Sequence, residues 1–277
     1  LVLLTRFALE RLLYRLTQLP EADDFVLKGA YTFLIWEGVL GRQTRDLDLL
    51  GSGPPETDRL REILLRACQA EVPEDGVAFD TECLAVQSIR EGADYEGLRA
   101  KLYAYIGSAR LRLQIDVGFG DATVPPPERR TFPGLLDFPE PEVKAYRPET
   151  VVAEKLHGMV RYGRANTRMK DFYDIWQISE GTQISGDALT SAVRATFRRR
   201  ETALPKDTPT ALTEAFAEEP GKTRQWKAFL QQVSEGKEDL RAVISDLREF
   251  LLPIFPAARG EVESPDTWPG GGPWTSK

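Results

Sequence analysis

Residues 97 to 107, GLRAKLYAYIG, alternate so strictly that few folds can hold them. Leu98, Ala100, Leu102, Ala104 and Ile106 fall on one side, and Arg99, Lys101, Tyr103 and Tyr105 on the other. A period of two is that of a strand with one buried face. The turn GSAR follows, and LRLQIDVGFG then alternates again. Two such runs around a short glycine turn predict an antiparallel hairpin inside a β region that extends over 77–119.

Shorter elements precede it. Leu4, Phe7, Leu9, Leu12, Leu13 and Leu16 recur near helical spacing over 3–19, and Pro20 ends the run. DFVLKG reads as a buried strand stopped by Gly29, residues 30–40 as an apolar helix closed by Gly41, and TRDLDLLG as a second strand. A helix over about 56–70 completes this part. Residues 124–147 hold enough proline to read as a linker or an extended wrap. Beyond Pro148 the regular pattern is helical to about Leu252, and the end, SPDTWPGGGPWTSK, reads as an irregular tail. The expected organisation is α+β: a mixed or antiparallel sheet flanked by helices over 1–123, a linker over 124–147, an all-helical domain over 148–255 and a tail over 256–277.

At 277 residues the chain has room for two modest domains with real cores. With 42% hydrophobic and 29% charged residues its composition is that of a globular protein rather than a disordered or fibrous one. Cys68 and Cys83 fit no zinc or redox spacing, so the sequence points to a reducing cytoplasm and two ordinary thiols. No apolar run approaches the roughly 20 residues needed to span a bilayer. The leading LVLL is interrupted by Arg6 and is no signal peptide; the chain opens on Leu1 rather than Met, which points to a start further upstream. A net charge of −7 argues against a protein that coats nucleic acid indiscriminately. The charge is nonetheless divided: residues 148–200 carry a local excess of positive residues, and the remainder is the more acidic for it.

On the strand TRDLDLLG, Asp46 and Asp48 share one face and Leu47 and Leu49 the other. Two carboxylates so placed either stand as solvated charges at a strand end or converge on one divalent ion, and their hard oxygens suit Mg²⁺. Phosphoryl transfer asks for such a metal to hold phosphates and neutralise charge. Gly29, where a helix is expected to begin, offers backbone N–H groups to an anion. Arg42, Thr44 and Arg45 add donors nearby. Asp116 alternates with Ile115 and Val117 in LQIDVGFGD, where it either joins the metal or points to solvent.

These residues carry a resemblance. Lys28-Gly29-Ala30, followed by Arg42-Gln43-Thr44-Arg45-Asp46-Leu47-Asp48, resembles the AbiEii/AbiGii-type toxins of the nucleotidyltransferase superfamily. Those toxins belong to bacterial type IV toxin–antitoxin and abortive-infection systems. The family pattern is K-G-G and then R-x-[ST]-x-D-[IL]-D; Ala30 departs from it. A later family motif, a lysine and then R-x-K-D-x-x-D-[LI], is matched by Lys155 and by Arg168-Met169-Lys170-Asp171-Phe172-Tyr173-Asp174-Ile175. The likeness covers roughly residues 25–180.

The second motif also has a reading of its own. Val152, Leu156, Met159 and Val160 form an apolar stripe with Lys155 at its edge, while Glu154, His157 and Arg161 point away. Met169, Phe172, Tyr173 and Trp176 form the next stripe, with Asp171 and Asp174 on the other side. Taken alone this is a salt-bridged helix pair. His157, the single histidine, reads as solvated and is given no chemistry. Arg168 and Lys170 read as phosphate contacts or surface ion pairs, and Arg198 to Arg200 as a solvated helix end or an RNA backbone contact.

The resemblance implies a nucleotidyltransferase-type sheet domain and a helical domain that completes the active site. It implies that Asp46, Asp48 and Asp116 hold Mg²⁺ or Mn²⁺, that Lys28, Gly29, Arg42 and Thr44 cradle an NTP, and that Lys155 and Asp171 are catalytic. Lys155 would neutralise triphosphate charge; Asp171 would orient that lysine or help activate the attacking hydroxyl. The implied acceptor is the 3′ end of tRNA, and the implied partner a cognate antitoxin. Two rivals stand beside it: transfer onto a protein or small-molecule hydroxyl, and a module that only binds nucleotide or partner.

Overall fold

The computed structural model describes residues 1–90, 96–233 and 236–276. The expected β pattern over 77–119 includes 91–95, the expected helical region includes 234 and 235, and the tail includes Lys277; these lie outside the described residues. The chain divides into two units, Leu1–Asp121 with Pro127–Tyr146, and Ala122–Pro126 with Arg147–Lys277.

The first unit is built on strands β1 (Phe25–Lys28), β2 (Asp46–Gly51), β3 (Val77–Arg90), β4 (Glu96–Ile106), β5 (Ala109–Phe119), β6 (Glu128–Thr131) and β7 (Glu142–Ala145). Its helices are α1 (Val2–Thr17), α2 (Thr32–Glu37) and α3 (Thr57–Gln69). The seven strands form one mixed sheet in the order β3-β4-β5-β2-β1-β7-β6. β4 and β5 are the expected hairpin, paired from Ile106–Ala109 around a two-residue turn. β2 runs parallel to β5 and antiparallel to β1, and β1 runs parallel to β7.

One face of this sheet is dry. Leu47 and Leu49 of β2, Leu98, Ala100 and Leu102 of β4, and Leu113, Ile115 and Val117 of β5 pack in a single core with Leu9, Leu12, Leu13 and Leu16 of α1 and Leu60, Ile63 and Leu64 of α3. Each of these side chains but that of Ala100 contributes about 1.5–3 kcal/mol on burial, and together they leave the alternate residues of each strand on the opposite face. A buried ionic knot ties α1 to the start of β3: Arg11 Nε and Arg15 Nη1 donate to Asp75 Oδ2 at 3.0 and 2.6 Å, and Arg15 Nη2 to Asp75 Oδ1 at 2.9 Å.

Two expectations change here. The helix expected over 30–40 is shorter: a 3-10 turn over Gly29–Tyr31 leads into α2, which stops at Gly38 rather than Gly41. Gly38 takes φ +72° and its N–H donates to Leu34 O at 3.1 Å, a left-handed cap that ends a helix wherever glycine permits it. The stretch read as a linker instead supplies β6 and β7, with prolines bracketing both four-residue strands, so residues 127–146 cluster with the sheet.

The second unit holds α4 (Pro148–Tyr162), α5 (Met169–Gly181), α6 (Gly186–Arg199), α7 (Glu214–Glu218), α8 (Pro220–Leu230), α9 (Leu240–Leu251) and α10 (Ile254–Arg259). It is mostly rather than wholly helical, because β8 (Ile184–Ser185) pairs with β9 (Thr267–Trp268) from the tail. The tail docks: Trp268 Nε1 donates to Ser179 O at 2.6 Å and Trp274 Nε1 to Phe250 O at 2.9 Å. The ring of Phe250 lies 4.9 Å from that of Trp268 and 5.6 Å from that of Trp274. No helix among the described residues is long and apolar enough to cross a membrane.

Candidate active site

The wet face of the first sheet carries a row of charges set by strand register. Lys28 pairs with Asp48, Asp48 with Asp116, and Asp116 with Arg99, so four strands present these side chains side by side. One step along, Asp46 pairs with Gln114, and Gln114 with Lys101. Leu47, Leu49, Ile115 and Val117 point the other way into the core, which fixes the direction of Asp46, Asp48 and Asp116.

Gly29 is moulded onto Asp48. A Cβ placed on Gly29 would lie 2.1 Å from Asp48 Oδ2, and Gly29 has φ +71°. Only glycine meets both conditions, the left-handed backbone and the close carboxylate. The stop after β1 that reads as a strand end in the sequence is therefore also the seat of the second carboxylate.

Other members of the row are held by neighbours. Lys28 Nζ donates to Asp121 Oδ2 at 3.0 Å and lies 5.4 Å from the centre of the Tyr146 ring. Asp116 accepts two bonds from Arg99, at 2.7 Å from Nε and 2.7 Å from Nη2, and a third from Gln114 Nε2 at 3.1 Å. Asp116 is thus beside Asp48 but committed to a bidentate arginine. Among the described residues no three His, Cys, Asp or Glu side chains are grouped to hold a metal. The donor set still fits Mg²⁺, which keeps several waters and takes one or two carboxylates together with substrate phosphates. Asp46 and Asp48 supply those two, and the Gly29 cradle keeps one of them in place.

Arg42 and Thr44 lie in the segment that leads into β2. Arg42 Nη1 makes a long 3.5 Å bond to Gln43 O, and Thr44 Oγ1 donates to Asp46 O at 3.4 Å. Tyr31 stands behind the carboxylates with a buried hydroxyl that has no hydrogen-bond partner. Burial pushes its pKa up, the charge of Arg6 opposes this, and the charges of Asp46 and Asp48 add to the rise, so its phenol stays neutral.

In the second unit α4 and α5 bring the other motif together. Lys155 Nζ lies 2.9 Å from Asp171 Oδ1 and 2.8 Å from Asp174 Oδ2, and Arg168 Nε donates to Asp171 Oδ2 at 2.6 Å. Both carboxylates are buried, with side chains 1% and 2% exposed, whereas the sequence pattern sets them opposite the apolar stripe. Two cations compensate them, so α5 buries acids without an unpaired charge. Burial acts to raise the Asp171 pKa, but Lys155 and Arg168 outweigh it and hold the carboxyl below its ordinary value.

His157 is buried rather than solvated. Its Nε2 meets Thr202 Oγ1 at 2.9 Å, Arg200 Nη1 donates to Nδ1 at 3.2 Å, and its ring packs edge-on to Phe197. Arg200, expected with Arg198 and Arg199 on one charged helix end, turns inward to this histidine and to Glu154.

The sequence also left Arg99 and Asp121 unassigned. Arg99 was legible in principle: a two-residue turn at Gly107-Ser108 forces Arg99 opposite Asp116. For Asp121, just past the end of β5, no periodic signal exists.

With this geometry in view, the chain matches the family described as nucleotidyl transferase AbiEii toxin, type IV TA system, over residues 11–252. The chain belongs to the AbiEii family. It is therefore a nucleotidyltransferase-family toxin of a type IV toxin–antitoxin system, a class that implies an NTP as substrate and an antitoxin as partner. Two solved structures share its fold. One is a crystal structure from H. pylori whose nucleotidyltransferase assignment is provisional, with TM-score 0.52, 15% identity, and 95% of this chain and 98% of that chain covered. The other is JHP933 from Helicobacter pylori, with TM-score 0.51, 13% identity and 94% of each chain covered. No curated protein matches. At these identities the structures bear on the fold alone, and the AbiEii assignment rests on the family match.

Proposed function

We propose that this AbiEii-family chain transfers a nucleoside monophosphate from an NTP to the 3′ end of tRNA and so blocks translation. The observation that carries the reading is the register of β1, β2 and β5, which sets Lys28, Asp48 and Asp116 abreast on the wet face with Gly29 moulded against Asp48.

Asp46 and Asp48 are the residues that would hold Mg²⁺ or Mn²⁺. When bound, the cation neutralises triphosphate charge and polarises the phosphoryl oxygens. Lys28, on a short tether to Asp121, offers its ammonium to the phosphates beside the N–H groups that begin at Gly29, with Arg42 and Thr44 as further donors. The acceptor hydroxyl releases its proton to solvent as its oxygen attacks the α-phosphorus in line, the bond to the bridging oxygen breaks, and pyrophosphate leaves. Lys155 supplies the compact charge that balances the departing phosphates. The depressed pKa of Asp171 makes it a weak base, which favours its role as the group that orients Lys155, together with Asp174.

Incubation with each α-labelled NTP, Mg²⁺ and bacterial tRNA tests this. Label on the tRNA, lost with Asp48→Ala and with Lys155→Ala, is the expected result. Label on protein instead would move the acceptor to a protein hydroxyl, and absence of label from a folded wild-type protein would overturn the reading.

A further inference from the structure

The wet face of the sheet does not end at the carboxylate row. Along β4 and β5 it continues through Lys101 beside Gln114, Tyr103 beside Arg112, and Tyr105 beside Arg110. From Asp116 to Arg110 this is six residues of strand, about 20 Å at about 3.4 Å per residue. Arg110 and Arg112 are exposed, and Lys101, Tyr103 and Tyr105 are half-buried. The guanidinium of Arg110 lies 3.7 Å over the Tyr103 ring.

Three properties set this strip apart. Lys101, Arg110 and Arg112 make no ion pair with any described residue, although the chain carries a net charge of −7 and has acids in excess. On the neighbouring β3 the residues opposite Tyr105 and Lys101 are Ala78 and Ala85, which raise no wall beside them; Asp80, opposite Tyr103, and Glu82, in the irregular stretch between Asp80 and Ala85, are the acids here. A cation stands beside a ring at two of the three steps, Tyr103 with Arg112 and Tyr105 with Arg110, the pattern that takes phosphates and bases together.

We infer that this face of the β4–β5 hairpin is the surface on which the RNA acceptor lies, its phosphates on Lys101 and Arg112 and an unpaired base on Tyr105. An acidic protein would satisfy the cations but would leave the regularly spaced phenol rings without a use. The strip runs into the row of Asp46, so a strand end laid along it is delivered to the two carboxylates. This inference rests on the proposed transfer to tRNA and adds where that RNA binds.

The test is fluorescence anisotropy of the full chain with a fluorescein-labelled tRNA transcript across a salt series, for wild type, Lys101→Glu/Arg112→Glu, Tyr105→Ala and the charge-matched control Arg61→Glu/Lys227→Glu. Thermal melts establish that each variant folds. The charge variant is expected to bind at least tenfold more weakly, with its log–log salt slope reduced by roughly 1.4, or about 0.7 per lost single-strand phosphate contact. Tyr105→Ala is expected to weaken binding about 5- to 100-fold without altering that slope. The control should stay within about twofold of wild type. Equal losses in control and strip variants, or no loss in either, would overturn the strip, as would no wild-type binding. Retained RNA binding with lost binding to the cognate antitoxin would reassign the face to a protein and likewise overturn it. Transfer is scored separately on the same tRNA. Label on tRNA with an unchanged KM in the strip variants would sink the strip and leave the transfer reading standing. Strip-dependent binding without any label would do the reverse.

Discussion

Gly29 and Asp48 depend on each other. Replacing Gly29 by alanine places a Cβ 2.1 Å from the carboxylate and at a left-handed φ, so one of the two must move. Gly29→Ala is expected to lose about 1–2 kcal/mol for the backbone alone, measured by urea denaturation, and to lose transfer activity with it. A variant as stable and active as wild type would show that Asp48 does not use this seat. Arg99 raises a separate question, because it holds Asp116 bidentately at the edge of the carboxylate row. Its charge competes with any cation brought to Asp48. Arg99→Gln is therefore expected to tighten Mn²⁺ binding roughly tenfold by titration calorimetry, the scale of removing one like charge at close range in a partly solvated site; weaker binding would mean that Arg99 orders the site rather than competes for it.

At the scale of elements, the pairing of α4 with α5 is a buried ionic one. Asp171→Asn leaves Lys155 with Asp174 and takes a carboxylate from the half-exposed Arg168, and is expected to cost about 1–3 kcal/mol. Because the folded pKa of Asp171 is depressed, its contribution is present above the unfolded carboxyl pKa, about 4, and is lost as pH falls through the folded value. Denaturation midpoints taken from pH 7 down to 2 should thus fall more steeply for wild type than for Asp171→Asn; parallel curves would contradict the assignment. The same elements show what a sequence conceals. Alternation located β2, β4 and β5 and turned Asp46, Asp48 and Asp116 to one face, because a dry sheet face writes itself as a period of two. The helical stripe on α5 gave no hint that Asp171 and Asp174 are buried, since the partners that permit it come from α4 and from the turn before α5. β6 and β7 escaped for another reason: four residues each, between prolines, carry no period to read. His157 looked outward on its own helix and is covered by Arg200 and Thr202, more than forty positions away.

At the scale of the molecule, the two family motifs lie in different units of the chain, the carboxylate row in the first and the Lys155 cluster in the second. The proposed transfer uses both. Groups that act as a unit lose activity non-additively, because removing either one already forfeits what both supply. The direct measurement is the single-turnover rate of nucleotide transfer from α-labelled NTP to tRNA for Asp48→Asn, Lys155→Met and the double variant. Each single variant is expected to fall by about 10²–10³-fold, the scale of losing one preorganised electrostatic group, and the double variant to be scarcely slower than either. Losses that multiply in the double variant, or a Lys155→Met protein as fast as wild type, would contradict the use of both.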